Sequence, residues 1–385
     1  MSSLAVKTCD QCQREFYYNQ HAGWFACPHC CGDGGLSHEA KAVAAAGPSK
    51  PKQTSMLDFY QQHAVAPVRQ DIGDLQAHFQ RRAFLYRQLG LWPQSITGKS
   101  VLEVGPGTGE NARYTFSLNP ACYVMVEPNE KAREALEAKF GTDDKVSIVG
   151  EALEAYQAST HQQFDVVLCE GLLGLAGRDA RGLLDALGEK VKLGGVLVIT
   201  CIDPISQCAD VLRRALAQQY IKKGASLQEN VEILKPVFAP HLATLKSMTR
   251  NVEDWIVDNI LNPASIGPTF SIPDALTHVE GRFEVLGCSP RFLVDWRWYK
   301  DGTPGNAWAI ESYWKNCHNL YDYRITHDPQ TVGQGEVLME QCEHVRACVG
   351  LYERGEMDFN NTFAVTNDPA WFGRGQQYLS LVRVG

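Results

Sequence analysis

From Met56 to the C-terminus, apolar positions fall into short continuous runs separated by stretches with helical spacing. "SVLEV" (100–104), "ACYVMVE" (121–127), "KVSIVG" (145–150), "FDVVLCEG" (164–171) and "GGVLVITCI" (194–202) have the length and composition of strands. Helical patterns separate most of them: "ENARYTFSL" (110–118), "NEKAREALEAKF" (129–140) and "ARGLLDALGEKV" (180–191). A strand that is apolar at consecutive positions is buried on both faces, which happens when helices cover both sides of a parallel sheet. The pattern therefore predicts an α/β fold, doubly wound around a mostly parallel sheet.

Ahead of the first strand, "DLQAHFQRRAFLYRQLGL" (74–91) spaces Leu75, Phe79, Phe84, Leu85 and Leu89 as the buried stripe of an amphipathic helix. Past Cys201 the rhythm changes. Residues 205–262 read as mostly helical. "GRFEVLGCSPRFLVDWRWYKD" (281–301) offers two runs around a Ser-Pro turn, an expected antiparallel hairpin, and two helices are expected near 306–324 and 334–354. The chain divides accordingly into a Cys- and Gly-rich module (1–35), a linker of small residues, Lys and Pro (36–55), an N-terminal helical cap (56–96), the α/β core (97–204), a helical insert acting as a lid (205–280), a hairpin added to the sheet (281–301) and a C-terminal helical cap (302–385).

The whole chain has 385 residues, 44% hydrophobic and 21% charged, with a formal net charge of −8. That balance disfavours a general nucleic-acid partner, which would carry a basic footprint; only a local basic patch would restore it. No run approaches the roughly 18 to 20 apolar residues of a membrane span, so no membrane partner is expected. The first residues lack the layout of a secretory signal. Five of the thirteen cysteines crowd into the first 31 residues and the rest are scattered as small buried hydrophobes. These features predict a cytoplasmic protein; its oligomeric state is not legible.

The most informative stretch is "EVGPGTG", in which Glu103 precedes Gly105, Pro106, Gly107 and Gly109. Glycines between a strand and a helix let a ligand approach the backbone, because a Cβ would block the approach or the positive φ it requires. Dinucleotide folds use G-x-G-x-x-G; here the spacing is G-x-G-x-G with an acid in front. The next strand ends at Glu127, suited to gripping both hydroxyls of a ribose, and the strand after it is followed by Glu151, within reach of an adenine amine.

Carried by these residues, 97–203 resembles the core of the class I, Rossmann-like S-adenosylmethionine-dependent methyltransferases. The resemblance implies S-adenosylmethionine as cofactor, with Glu103 to Gly109 against its methionine and sugar, Glu127 and Pro128 at the ribose, and Glu151 and Ala152 at the adenine. Cys169 and Glu170, closing the fourth core strand, would line the pocket beside the sulfonium. In relatives an N-terminal helix closes over the cofactor, which makes Tyr60, His63 and Arg69 in "FYQQHAVAPVRQDI" (59–72) candidate contacts.

Two further clusters carry chemistry. Cys9, Cys12, Cys27 and Cys30 form two C-x2-C knuckles separated by fourteen residues, the spacing of a zinc ribbon holding structural Zn2+; Cys31, His21 and His29 are possible substitutes. In "AIESYWKNCHNLYDYRITHD" (309–328), His318 is a candidate general base with Asp322 at i+4 orienting it, set against a plain aromatic packing face. The Asn-Pro-Pro-Tyr signature of amino-methylating nucleic-acid enzymes is absent from the sequence. The expected reaction is methyl transfer to an oxygen or nitrogen of a small molecule or glycan. RNA methylation, or a non-methylating use of the cofactor such as cyclisation of its own chain, are the alternatives.

Overall fold

A computed structural model describes residues 4–8, 15–19, 56–63, 72–173, 179–245, 248–266, 269–322, 335–356 and 372–385. Near the N-terminus, β1 (Leu4–Thr8) pairs antiparallel with β2 (Glu15–Asn19), Leu4 opposite Asn19. The four cysteines proposed for zinc, the 36–55 linker and Arg69 lie outside the described residues.

Among the described residues the main sheet has seven strands. In chain order they are β3 (Ser100–Val104), β4 (Cys122–Val126), β5 (Val146–Val149), β6 (Phe164–Cys169), β7 (Val191–Cys201), β8 (Phe283–Ser289) and β9 (Gln377–Arg383), arranged in space as β5-β4-β3-β6-β7-β9-β8. Strands β3 to β7 are mutually parallel, and β9 runs antiparallel to both of its neighbours. The order reverses at β3: the chain steps outward from it to β5, then returns to β6 on its other side. The carboxyl ends beside that reversal are where open α/β sheets bind ligands.

Alternate strand residues feed two cores. Val101, Tyr123, Met125, Val166 and Leu168 pack on one face, under helices α1 (Leu75–Gln88), α2 (Ala112–Ser117) and α3 (Glu130–Phe140). Leu102, Val104, Val124, Val126, Val167, Leu197 and Ile199 pack on the other, against α4 (Ala180–Glu189), α5 (Pro204–Ala217) and α6 (Ile272–His278). The insert builds a smaller core of its own from Val231, Leu234, Phe238, Trp255, Ile256 and Ile260, joined by Phe372. Among the described residues no helix is long and apolar enough to cross a membrane.

Two expectations are corrected. Residues 281–301 do not form a hairpin: β8 pairs with β9, from Phe283 opposite Arg383 to Ser289 opposite Tyr378. The second run fails as a strand because beyond Phe292 and Leu293, which pack on the core, it has no buried face. Every residue from 294 to 304 is exposed, Trp296 by 91%. The segment 302–385 is not purely a helical cap, since β9 inserts between β7 and β8, with Val196 opposite Val382. Helix α1 forms, capped by the Asp74 carboxylate, which accepts from the Ala77 N–H at 2.9 Å. Of the expected stripe, Leu89 is buried and Phe79 and Leu85 pack on the same core, but the buried positions within the helix are His78, Arg82 and Tyr86, and Phe84 is 57% exposed.

Candidate cofactor site

Strand β3 ends in Glu103 and Val104, and the chain then turns through Gly105 (φ +71°), Gly107 (φ +59°) and Gly109 (φ +86°). All three glycines sit in the left-handed region that side chains rarely adopt, but their surroundings differ. A Cβ on Gly109 would lie 2.6 Å from Leu136 and 3.0 Å from Phe140, so this glycine lets α3 pack on the loop. A Cβ on Gly105 would meet Leu172, just beyond β6, at 2.9 Å.

The loop is braced by an acid on the neighbouring strand. Glu127 follows β4 and is buried; its Oε2 accepts from the Gly107 N–H and its Oε1 from the Asn129 N–H, both at 2.9 Å. Asn129 in turn caps α3, its side chain accepting from the Ala132 N–H at 3.0 Å. Pro128 between them is half-buried. One strand further out, beyond β5, Glu151 is exposed and Ala152, half-buried, precedes a short helix that starts at Leu153.

On the other side of β3, β6 ends at Cys169, and Glu170 meets Arg82 of α1 in a two-pronged ion pair, Nη2 to Oε1 at 2.6 Å and Nη1 to Oε2 at 3.0 Å. The same Oε2 accepts from Asn111 Nδ2 at 3.3 Å and from the Tyr378 hydroxyl of β9 at 3.4 Å. Burial disfavours the charge on Arg82, but the adjoining Glu170 more than offsets it, and the guanidinium is held protonated. Glu103 lies beside this pair, buried, and accepts from the Tyr123 hydroxyl. Burial first, and the Glu170 charge second, push its carboxyl up to about 7. A second latch closes the start of α2: Glu110 receives Lys139 Nζ at 2.6 Å and the Thr108 hydroxyl, and these outweigh burial to hold its carboxyl below the usual range.

Four adjacent parallel strands thus deliver acids to one edge of the sheet: Glu103, Glu127, Glu151 and Glu170. Arg82, Asn111, Tyr123 and Tyr378 complete the cluster and were not anticipated from sequence. Arg82 sits within the helical pattern of 74–91 and its partner is 88 positions away, while Tyr378 arrives from a strand that sequence reading missed. An open apolar hollow of about 620 Å³ lies between α1 and α2, lined by Leu75, Phe79, Ala83 and Tyr114 among others, and contains none of these acids.

The remaining candidates, the cofactor contacts Tyr60 and His63 and the base His318, have other partners. The Tyr60 hydroxyl, on the helix Met56–His63, donates to Asp258 of the insert at 2.9 Å; the His63 ring packs on Phe59, 4.6 Å between centroids. His318 is buried, its Nε2 3.0 Å from Asn319 Nδ2. The α-helix containing Tyr313 ends at Asn316, and Cys317–Leu320 form a tighter 3-10 turn, so the α-helical i, i+4 relation does not hold between His318 and the buried Asp322. Among the described residues no group of His, Cys, Asp and Glu is arranged to hold a metal.

The state of Glu103 leaves a mark on stability. Its carboxyl titrates near 7 in the fold, against an ordinary 4.5, so the folded chain holds a proton across that window which the unfolded chain releases. Its contribution to stability therefore declines as pH rises through the window and levels off above it. Glu103→Gln removes this titration and should gain on wild type as pH rises from 4.5 to 7.5, by on the order of 3 kcal/mol at the upper end. Melting temperatures of both proteins across that range check it; a difference that does not vary with pH would show that Glu103 is not protonated in the fold.

Residues 76–235 match the family model described as a methyltransferase domain. No curated protein matches the sequence. Among solved structures, the chain is similar to an S-adenosylmethionine-dependent methyltransferase from Mesorhizobium loti, with 18% identity and a TM-score of 0.26 over 29% of this chain and 50% of that one. It is also similar to PKMT2 from Rickettsia typhi, with 12% identity and a TM-score of 0.41 over 78% of this chain and 52% of that one. The chain thus spans about half the length of each. The matched stretch holds the glycine loop, the acids Glu103, Glu127, Glu151 and Glu170, and the parallel half of the sheet.

Proposed function

We propose that this protein is an S-adenosylmethionine-dependent methyltransferase acting on an oxygen or nitrogen of a small molecule or sugar. The observation that carries the reading is the left-handed glycine loop fastened to Glu127, with further acids on the strands to either side. The donor set fits a cationic cofactor with a ribose and no phosphate, since a pyrophosphate would face carboxylates rather than free backbone N–H groups. Bound S-adenosylmethionine supplies a methyl group already activated on sulfonium. Glu127 would hold the ribose hydroxyls, Glu151 and Ala152 the adenine, and Glu103 and Glu170 would set a negative potential at the cationic end. Gly105 and Gly107 allow the close backbone approach. The insert and the C-terminal segments lie beyond the later strands and would align the acceptor, which is most of what an in-line displacement needs.

Glu127→Ala should weaken S-adenosylmethionine binding by about 1.5 to 3 kcal/mol, the range for hydrogen bonds to a charged group, as read by calorimetry. With labelled methyl donor and a cell extract, the products should be a methylated acceptor and S-adenosylhomocysteine. Methylthioadenosine formed without an acceptor would replace methyl transfer with a cyclising reaction on the same fold.

His318 is the proposed base for an acceptor that carries a proton; without the α-helical spacing, the orienting role expected of Asp322 is not carried forward. His318→Ala should lower turnover roughly 100-fold with cofactor affinity unchanged. A variant that melts earlier yet turns over normally per folded molecule assigns the histidine to packing.

Cys9, Cys12, Cys27 and Cys30 are proposed to hold one structural Zn2+, four thiolates suiting its tetrahedral preference. Deleting residues 1–35 should remove the metal, measured by elemental analysis, and spare cofactor binding. Zinc retained after the deletion would place its ligands elsewhere.

A further inference from the structure

Among the described residues the Glu103 side chain takes one hydrogen bond, and it comes from the neighbouring strand. In the parallel β3–β4 pair Val101 lies opposite Tyr123. Glu103, two residues on, shares the face of Val101, and the Tyr123 hydroxyl donates to its Oε2. Two more hydroxyls stand behind that one. The Thr115 hydroxyl, on α2, faces the Tyr123 oxygen, and it meets the Tyr86 hydroxyl of α1 at 2.6 Å. An ionised carboxylate can only accept, so Tyr123 gives its proton to Glu103, Thr115 gives to Tyr123, and Tyr86 gives to Thr115. The donors all point toward Glu103, and each bond polarises the next. All three residues are buried, where a hydroxyl without a partner is costly. A phenylalanine at 123 would fill the same space with no hydroxyl to satisfy. Glu103 Oε1 has no partner among the described residues, which leaves it to a ligand at the glycine loop.

We propose that Tyr123 is a positioning residue of the cofactor site: its hydroxyl fastens Glu103 Oε2, so that Oε1 is presented to the ammonium group at the amino-acid end of the cofactor. This rests on the reading of the chain as an S-adenosylmethionine enzyme and extends it to a residue buried too deeply to touch the cofactor itself. A carboxyl with one oxygen fastened does not turn about its terminal bond. The donated hydrogen bond also favours the ionised form, against the burial that disfavours it. Both effects strengthen a charge-assisted contact with an ammonium group. Without the hydroxyl, Glu103 keeps its place in the strand but loses orientation and part of its charge. The loss is confined to one end of the ligand, because on this reading ribose and adenine are held from beyond β4 and β5.

The test compares two ligands by calorimetry: S-adenosylhomocysteine, which carries the amino-acid end, and methylthioadenosine, which lacks it. Both are titrated into wild type, Tyr123→Phe, Glu103→Gln and the double variant, with a melting curve for each protein. Tyr123→Phe should weaken S-adenosylhomocysteine about 10-fold and change methylthioadenosine by less than about 2-fold. Glu103→Gln should show the same selectivity. In the double variant the loss of the hydroxyl should add less than about 2-fold to the effect of Glu103→Gln, since the two act through one contact. Should Tyr123→Phe fail to fold, Thr115→Val removes the donor behind Tyr123 and carries the same test, with an expected loss of about 3-fold. Equal losses for the two ligands would overturn the proposal and leave Tyr123 a packing residue. Unchanged S-adenosylhomocysteine affinity in Tyr123→Phe or Glu103→Gln, or full additivity in the double variant, would overturn it too. A wild-type protein that binds neither ligand overturns the functional reading instead.

Discussion

A carboxylate taken out of water must be given partners or a proton, and the acids at the carboxyl edge of this sheet meet that requirement in different ways. Glu170 has a guanidinium, Glu127 has two backbone N–H groups, and Glu103 has a tyrosine hydroxyl and a raised affinity for a proton. Each solution also ties two elements together. Arg82 fastens α1 to β6, Glu127 fastens the β4 end to the glycine loop, and Tyr123 fastens β4 to β3. The loop geometry follows from these attachments. With Gly107 held by Glu127 and Gly109 pressed on Leu136 and Phe140, the turn has little freedom before any ligand arrives, and pre-ordering of this kind lowers the entropy cost of binding.

The parallel half of the sheet was legible because its signal is local. In β3, β4, β6 and β7 the two faces enter two different cores, so nearly every position is apolar and the run announces itself. The glycine loop and the acids after β4, β5 and β6 were legible for a related reason: a residue at a strand end occupies the ligand edge whatever the rest of the chain does. Strand β9 gave no such signal. Its Gln377 and Ser380 are as buried as Leu379 and Leu381, and Ser380 owes its place to the Leu89 carbonyl, which its hydroxyl reaches at 2.7 Å. A polar residue buried by a partner 291 positions away looks, in sequence, like a surface residue.

Helix α1 was misread for the same reason. An apolar stripe through Phe79 and Leu85 gives the helical period correctly, but the face turned to the sheet carries His78 and Arg82, whose burial is made tolerable by the Glu110 carbonyl and by Glu170. Hydrophobic spacing assigns faces by transfer energy alone and cannot anticipate a charge that arrives already paired. The 281–301 segment failed in the opposite direction: Trp296, Trp298 and Tyr299 look like interior residues and are all exposed.

Two of the misread positions, Arg82 and Tyr378, lie at the proposed site beside Glu103, which the sequence did single out. Arg82, Tyr378 and Glu103 are polar residues where an apolar one would be simpler to bury, and exchanging a buried ionic group for well-packed hydrophobes often leaves a protein as stable or more so. Val101, Leu102 and Val104 show what β3 uses where stability alone decides. Glu103 stands among them at a cost that rises with pH, one strand position before the loop. Such a local conflict between sequence and fold is expected at functional sites and rarely elsewhere. Here it falls on the one face of the molecule where the parallel strands, the glycine loop and helix α1 converge, and a cation is the ligand that would relieve it, by giving Glu103 the partner that Arg82 gives Glu170.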